Sequence, residues 1–150
     1  MTFYNYILDE FFSSITSLGT PVFYVPVILV FIALKVPFAL HVLLALLFVE
    51  LLCIFIKVMY RKERPVLQAR DTLYNKIDAN SFPSVHSARI SLLAAVICWY
   101  YKNPFIFAIG IALVLGVGYS RIYLKRHYAG DVLFGFLIGI TAAVITIYIT

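Results

Sequence analysis

Three short polar clusters interrupt a chain that is otherwise strongly apolar. Together they supply three cations, two imidazoles, two hydroxyls and a carboxylate. These are the groups needed to hold a phosphate and to break its ester bond through a histidine. In chain order, the clusters are Lys57 with Arg64-Pro65, then Pro83-Ser84-Val85-His86, then Ser120-Arg121 with His127 and Asp131.

The third cluster contains a histidine and a carboxylate at helical spacing. His127 and Asp131 are four residues apart near the predicted start of the last helix, so their side chains would share one face. A carboxylate hydrogen-bonded to one imidazole nitrogen fixes the tautomer and leaves the other nitrogen as a nucleophile. An ordinary surface His–Asp pair is the alternative interpretation.

Three cations could surround a phosphoryl group. Arg64 and Arg121 offer planar forks that match phosphate oxygens, and Lys57 adds a point charge. Neutralising those oxygens is most of what phosphoryl transfer requires of a protein. The alternative is that these residues anchor helix ends at the membrane surface. That alternative fits Lys57 less well, because its neighbours in the chain are Phe55, Ile56, Val58 and Met59.

The second cluster stands at a predicted helix start, where backbone N–H groups and the positive dipole end favour anions. Ser84 and those amides could hold a phosphate oxygen, and His86 could protonate a leaving alkoxide as a general acid. A capping or interface role is the alternative for a lone histidine at this position.

The composition predicts an integral membrane protein. Of the 150 residues, 63% are hydrophobic and only 13% are charged, and the mean hydropathy is +0.98. The net charge of +5 does not indicate nucleic-acid binding, because the basic residues lie at the ends of apolar segments and in short loops. Cys53 and Cys98 show no metal-binding spacing, and no cofactor is predicted. The length fits a single domain covering residues 1–150.

Hydrophobic patterning predicts an all-α membrane helix bundle with about five transmembrane helices and an N-terminal amphipathic helix in the interface. A short first membrane helix is the alternative for the N-terminal segment. The predicted amphipathic helix covers residues 3–18, and the spans cover 21–36, 38–60, 84–102, 104–121 and 130–149.

The number of predicted spans places the three clusters on the same side of the membrane. With five spans, the polar stretch 61–82 and the loop 122–129 lie on the same side of the membrane, so all three clusters meet at one membrane–water interface. Glu50 lies within the second span, where a carboxylate is costly. It is expected to line a cleft or to pair with a cation.

Small residues recur every four positions on the last two spans, which allows helix backbones to approach closely. The interpretations are packing within the chain or a seam between two copies in a homodimer. The residues are Ala112 and Gly116 on one span and Gly135, Gly139 and Ala143 on the next.

Taken together, the clusters resemble the signature of the type 2 phosphatidic acid phosphatase superfamily. That signature has three parts: Lys, six residues, Arg-Pro; then Pro-Ser-Gly-His; then Ser-Arg, five residues, His, three residues, Asp. All three occur here in order and with matching spacing, and the resemblance covers roughly residues 50–140.

The resemblance implies a role for each matching residue. His127 would form a phosphohistidine, Asp131 would orient and activate it, and His86 would protonate the leaving group. The residues implied to bind the phosphate are Lys57, Arg64, Ser84, Val85, Ser120 and Arg121. The resemblance also implies that no metal ion is required.

The chain departs from the family pattern in two ways. Val85 stands where the family has glycine, so a side chain there could narrow the site. With five predicted spans, the chain is also expected to lack the first of the six spans that many membrane members have. The excess of Lys and Arg on the clustered face favours a cytoplasmic site, whereas family habit favours the opposite side.

The predicted function is hydrolysis of a lipid phosphomonoester or diphosphate at the membrane surface. The candidate substrates are phosphatidic acid, phosphatidylglycerol phosphate and a polyprenyl phosphate or diphosphate. A non-catalytic protein that binds or transports phospholipids and a sugar-phosphate phosphatase are the alternatives.

Overall fold

The chain is all-helical in the computed structural model, which describes residues 3–68 and 71–150, without the side chains of residues 3, 73 and 74. The described residues form seven helices and no strand, which confirms the predicted all-α class. The helices are α1 (Phe3–Ser17), α2 (Pro21–Ala33), α3 (Ala39–Tyr60), α4 (Leu73–Asp78), α5 (Val85–Tyr101), α6 (Pro104–Tyr123) and α7 (Ala129–Ile149).

The helix boundaries follow local signals. Pro21 and Pro104 each occupy a first-turn position, and the Asn103 side chain accepts from the amides of Phe105 and Ile106. The one helix that the pattern missed is α4, within the stretch predicted as a loop. It has six residues, which is too short for a periodic signal, and Thr72 caps it by accepting from the Asn75 amide.

The bundle has the dimensions and surface of a membrane protein. Four helical stretches of the described chain are long and apolar enough to cross a bilayer: Tyr4–Ala33 (α1 and α2 together), Ala39–Tyr60, Pro104–Tyr123 and Ala129–Ile149. The central helix α5 has 17 residues, or about 26 Å, which is close to the thickness of a hydrocarbon core. Large apolar side chains are exposed on the outer helices, as expected where lipid replaces water. Examples are Val22, Leu29, Leu51, Phe55, Phe105, Leu115, Leu133 and Tyr148.

The first helix packs on the bundle beside α6. Phe12 stacks on Tyr123 and Tyr119, with ring centroids 4.3 and 5.3 Å apart. With 15 residues, α1 spans about 22 Å, which is too short to cross a bilayer by itself. A three-residue turn after α1 leads directly into α2.

Helices α5 and α7 pack closely together, and small residues allow their backbones to approach. A Cβ built on Gly135 would overlap the Ser84 carbonyl oxygen, and one on Gly139 would overlap the Ala88 carbonyl oxygen. Ala143 on the same stripe is fully buried. This stripe therefore packs within the chain and is not a seam between copies. On α6, Gly116 faces Ile15 of α1.

A partly buried ion pair joins three parts of the bundle. The Arg89 guanidinium on α5 donates to Glu50 Oε2 on α3 through Nε at 2.8 Å and through a second nitrogen. Arg89 also donates to the Gly19 carbonyl in the α1–α2 turn at 3.2 Å. Glu50 therefore pairs with a cation, which is one of its two predicted roles. Such pairing is what keeps a charge tolerable inside a membrane span.

The polar stretch after α3 folds back on itself. A short antiparallel bridge pairs Glu63 with Asn80, and the Ser81 amide donates to the Lys62 carbonyl at 2.7 Å. The Asn80 side chain donates to the Lys57 carbonyl at the end of α3. These bonds fix the chain entering α5 against the chain leaving α3.

We expect Gly139→Ala to lower the melting temperature of the detergent-solubilised protein. The added methyl group would collide with the Ala88 backbone, and overpacking of this kind costs about 1–3 kcal/mol. Gly130→Ala is the matched control, because a Cβ at Gly130 meets nothing within 4 Å. Equal melting temperatures for the two variants would contradict the proposed role of the close helix contact.

Candidate active site

The three polar clusters meet at one end of the bundle, as span counting predicts. Lys57 and Arg121 lie in the last turns of α3 and α6, and His86 and Asp131 lie in the first turns of α5 and α7. The starts of α5 and α7 are joined directly, since the Ser84 amide donates to the Asp131 carbonyl at 3.0 Å. Residues from four helices and two loops are thus held around one point.

The His127 ring is buried and hydrogen-bonded to the backbone. Only 2% of the residue is exposed, and its Nδ1 lies 2.6 Å from the Ser81 carbonyl oxygen. Because a carbonyl can only accept, Nδ1 carries the hydrogen of the neutral ring. Its Nε2 therefore has the free lone pair of a nucleophile.

The contacts of Asp131 differ from the prediction. His127 precedes α7 instead of lying within it, and its Nδ1 is 3.9 Å from Asp131 Oδ2, beyond hydrogen-bond distance. Asp131 Oδ2 accepts instead from the Tyr128 amide, which caps α7, and Oδ1 accepts from Lys62 Nζ at 2.7 Å. The Ser81 carbonyl thus orients the imidazole, and the fully buried Asp131 lies beside it as a fixed negative charge.

Burial and positive charge act together on His127. Burial first, and then the charges of Arg121, Arg64 and Lys57, hold the pKa of His127 far below its usual value. All three predicted clamp cations are therefore close enough to the ring to affect its protonation. The ring is neutral at physiological pH.

Two of the three cations converge on one carboxylate oxygen. Lys57 Nζ and Arg64 Nη2 lie 3.5 and 3.2 Å from Asp78 Oδ1, at the end of α4. Arg64 also donates to the Asp78 carbonyl oxygen. Both cations are almost completely buried. A pair of buried positive charges facing the same point forms a receptor for anionic oxygens.

The third cation approaches from α6. Arg121 is buried and donates through Nη1 to the Thr16 hydroxyl of α1 at 2.9 Å. Its Nε is also buried and has no hydrogen-bond acceptor within the described residues. The guanidinium therefore retains a donor for an additional acceptor.

Three residues that the sequence analysis assigns to phosphate binding make local structural contacts. Ser84 Oγ accepts from Ser87 and caps α5, and the Ser120 hydroxyl donates to the Val117 carbonyl of its own helix at 2.7 Å. Val85 packs in the apolar core. The structure therefore gives these three residues local structural contacts.

His86 lies against the α1–α2 turn. A Cβ on Gly19 would come within 2.8 Å of the His86 Cβ, so only glycine lets the turn approach this closely. The same turn accepts a hydrogen bond from Arg89. The position of His86 thus depends on the N-terminal segment, outside the sequence clusters.

Sequence reasoning missed several residues of the site. Lys62 lies in the polar stretch outside the three clusters, yet it pairs with Asp131 and lies over the Tyr128 ring, 4.5 Å from its centroid. Asp78 and Ser81 lie in a stretch predicted only as a polar loop. Arg89 could have been found from the sequence, because an arginine inside an apolar helix needs a partner such as Glu50.

A family model describes the clustered part of the chain. The model of the PAP2 superfamily matches residues 38–150. The chain belongs to this superfamily. The three polar clusters of this chain all lie within residues 38–150.

Two solved structures share the fold. One is the first transmembrane PAP2-type phosphatidylglycerolphosphate phosphatase from Bacillus subtilis, with a TM-score of 0.78 and 27% identity. The match covers 95% of this chain and 76% of that one. The other is LpxE from Aquifex aeolicus, with a TM-score of 0.81 and 27% identity, covering 95% of this chain and 86% of that one.

Family and fold confirm the broad class predicted from the sequence. The protein is an integral, multi-pass membrane protein with the fold of a lipid phosphatase. It belongs to an enzyme class that works without a metal ion. The described residues contain no group of three or more His, Cys, Asp or Glu side chains that could hold a metal ion.

We expect the His127 ring to remain neutral from pH 8 down to pH 5. Its lowered pKa means that protonation is resisted through the range where an ordinary histidine titrates. The measurement is ¹⁵N NMR of histidine-labelled protein in detergent, with His127→Gln to assign the signal. A ring that titrates near pH 6.5 would show that burial and the three cations do not act on it as described.

We also expect Lys62→Met to destabilise the protein by about 1–3 kcal/mol, because it leaves a buried carboxylate without its charged donor. The effect should shrink when Asp131→Asn is added, since the double variant removes both charges. Melting temperatures of the wild type, the two single variants and the double variant give the coupling energy between Lys62 and Asp131. Lys76→Met, at an exposed lysine of α4, is the control. Additive effects would contradict a direct pair.

Proposed function

We propose that the protein hydrolyses a lipid phosphomonoester or diphosphate through a phosphohistidine on His127. The observation that carries the proposal is the buried, neutral His127, whose Nδ1 is tied to the Ser81 carbonyl while three cations act on the ring. A nucleophile beside a clamp for anionic oxygens is the minimum that phosphoryl transfer requires.

In the first step, the Nε2 lone pair of His127 attacks phosphorus and the ester P–O bond breaks. Lys57, Arg64 and Arg121 neutralise the equatorial oxygens. His86, acting as a general acid, gives its proton to the departing alkoxide.

The ring becomes positively charged as the P–N bond forms. The buried charge of Asp131, 3.9 Å from Nδ1, favours that charge without a direct hydrogen bond. The Ser81 carbonyl accepts a stronger hydrogen bond from the cationic ring than from the neutral one. Both groups therefore stabilise the transition state more than the ground state.

In the second step, a water molecule attacks the phosphohistidine. His86, now neutral, accepts the water proton as general base. The P–N bond breaks, inorganic phosphate forms, and the bonding pair returns to Nε2. Both histidines thereby recover their starting protonation states, so no metal ion or other cofactor is needed.

The location of the site supports a lipid substrate. It lies at the end of membrane-spanning helices whose outer faces are apolar, so the phosphate can reach the clamp while the tail stays in the bilayer. Phosphatidylglycerol phosphate is the first substrate to test, because one similar structure is a phosphatase for that lipid. Phosphatidic acid and polyprenyl phosphate or diphosphate complete the panel.

We expect the purified protein in detergent and excess EDTA to release inorganic phosphate from at least one lipid of this panel. His127→Ala should lose activity by about a thousandfold or more, because the nucleophile is removed. Phosphate release is measured for every lipid beside a soluble sugar phosphate at equal concentration.

The matched control is His41→Ala, which removes a histidine near the start of α3, at the opposite end of that helix from Lys57. It should keep wild-type turnover. Equal activity of His127→Ala and wild type would rule out the phosphohistidine route. Preference for the sugar phosphate would favour that substrate class, and no release from any substrate would favour a binding or transport protein.

A further inference from the structure

The carboxylate of Asp78 contacts two of the three cations to which the proposed function assigns phosphate binding. Its Oδ1 lies between Lys57 Nζ and Arg64 Nη2, both of which are clamp residues. Asp78 also acts electrostatically on Arg121, the third cation of the clamp. One internal anion thus contacts two of the positive charges and acts on the third from a distance.

Buried cations require such an anion. Lys57, Arg64 and Arg121 are each less than a tenth exposed and repel one another, and burying a charge is costly unless an opposite charge is near. Asp78 supplies that opposite charge from outside the three motifs. Its carboxylate therefore helps to keep the cations assembled at one point.

The contact is also suited to exchange. The Asp78 side chain is 45% exposed, and it ends a six-residue helix in the polar stretch at the membrane face. Its distances of 3.2 and 3.5 Å to the cations exceed the 2.7–2.9 Å typical of tight charge-assisted bonds. A phosphate carries more charge and more acceptor oxygens, so it can replace this carboxylate. The hydrogen bond from Arg64 to the Asp78 backbone carbonyl does not involve the carboxylate.

We propose that Asp78 is a tethered competitor of the phosphate, which holds the Lys57–Arg64 clamp assembled and weakens the binding of substrate and product. This inference rests on the proposed function for the identity of the clamp. The consequence is weaker product inhibition, since released phosphate must compete with a carboxylate that is part of the chain.

We expect Asp78→Asn to bind inorganic phosphate and orthovanadate about 5- to 10-fold more tightly than wild type. The substitution keeps the shape of the side chain and removes the competing charge. Binding is measured by calorimetry in detergent. The inhibition constants for both anions and the KM for the best lipid should fall in parallel.

Asp71→Asn is the matched control. It removes the same charge from the same polar stretch, but the Asp71 carboxylate contacts only Thr72 and Asn75 among the described contacts. Its anion affinity should equal that of wild type. If Asp78→Asn fails to fold, Asp78→Ser is the second neutral variant.

A thermal measurement distinguishes competition from a purely structural role. Without added anion, Asp78→Asn should melt below wild type, because the cations have lost their counter-charge. Added phosphate should then raise its melting temperature more than that of wild type, since a tighter ligand stabilises the folded state more.

Unchanged or weaker anion binding by both neutral variants would overturn the proposal. Measuring anion binding beside lipid hydrolysis also separates the competitor role of Asp78 from the proposed phosphatase function. Normal lipid hydrolysis with unchanged anion affinity in Asp78→Asn would reject the competitor role alone. No hydrolysis by any protein, with tighter anion binding in the variant, would reject the proposed function and retain the competitor role.

Discussion

The close backbone contact between α5 and α7 is the constraint on which the site depends. Gly135 and Gly139 bring α7 against Ser84 and Ala88, at a distance that no Cβ allows. The same contact places the starts of both helices side by side and permits the bond from the Ser84 amide to the Asp131 carbonyl. Since α5 carries His86 and the segment before α7 carries His127, a wider separation would part the two histidines. Close packing between helices therefore sets the geometry of the chemistry.

Charge balance is the second organising theme, because the apolar surroundings make every unpaired charge costly. The described part of the chain meets this cost by pairing charges from distant segments. Glu50 pairs with Arg89, Lys62 with Asp131, and Asp78 with both Lys57 and Arg64. The Glu50–Arg89 pair also anchors the α1–α2 turn beside His86. Ion pairs in this protein therefore act chiefly as positioning devices.

Much of the architecture was predictable, because membrane helices leave strong local signals. The long apolar segments, the proline and asparagine at helix starts, and the glycine stripe on α7 indicated elements and packing that the structure contains. Counting spans was sufficient to predict that the clusters meet. The predicted hydrogen bond from the His127 ring to the Asp131 carboxylate does not form, since the two atoms are 3.9 Å apart. The spacing assumed a continuous helix, whereas the chain enters α7 only after His127, and the Asp131 side chain caps that entry.

The sequence by itself determined which groups are available and that they gather at one membrane face, since residue type, spacing and hydropathy are local properties. Only the tertiary structure decided what each group contacts. The partner of His127 lies 46 residues away at Ser81, and that of Asp131 lies 69 residues away at Lys62. Asp78 reaches the clamp because a short helix and a two-residue bridge fold the polar stretch back over the end of α3. No periodic pattern encodes such contacts, because they depend on the path of an irregular segment through space.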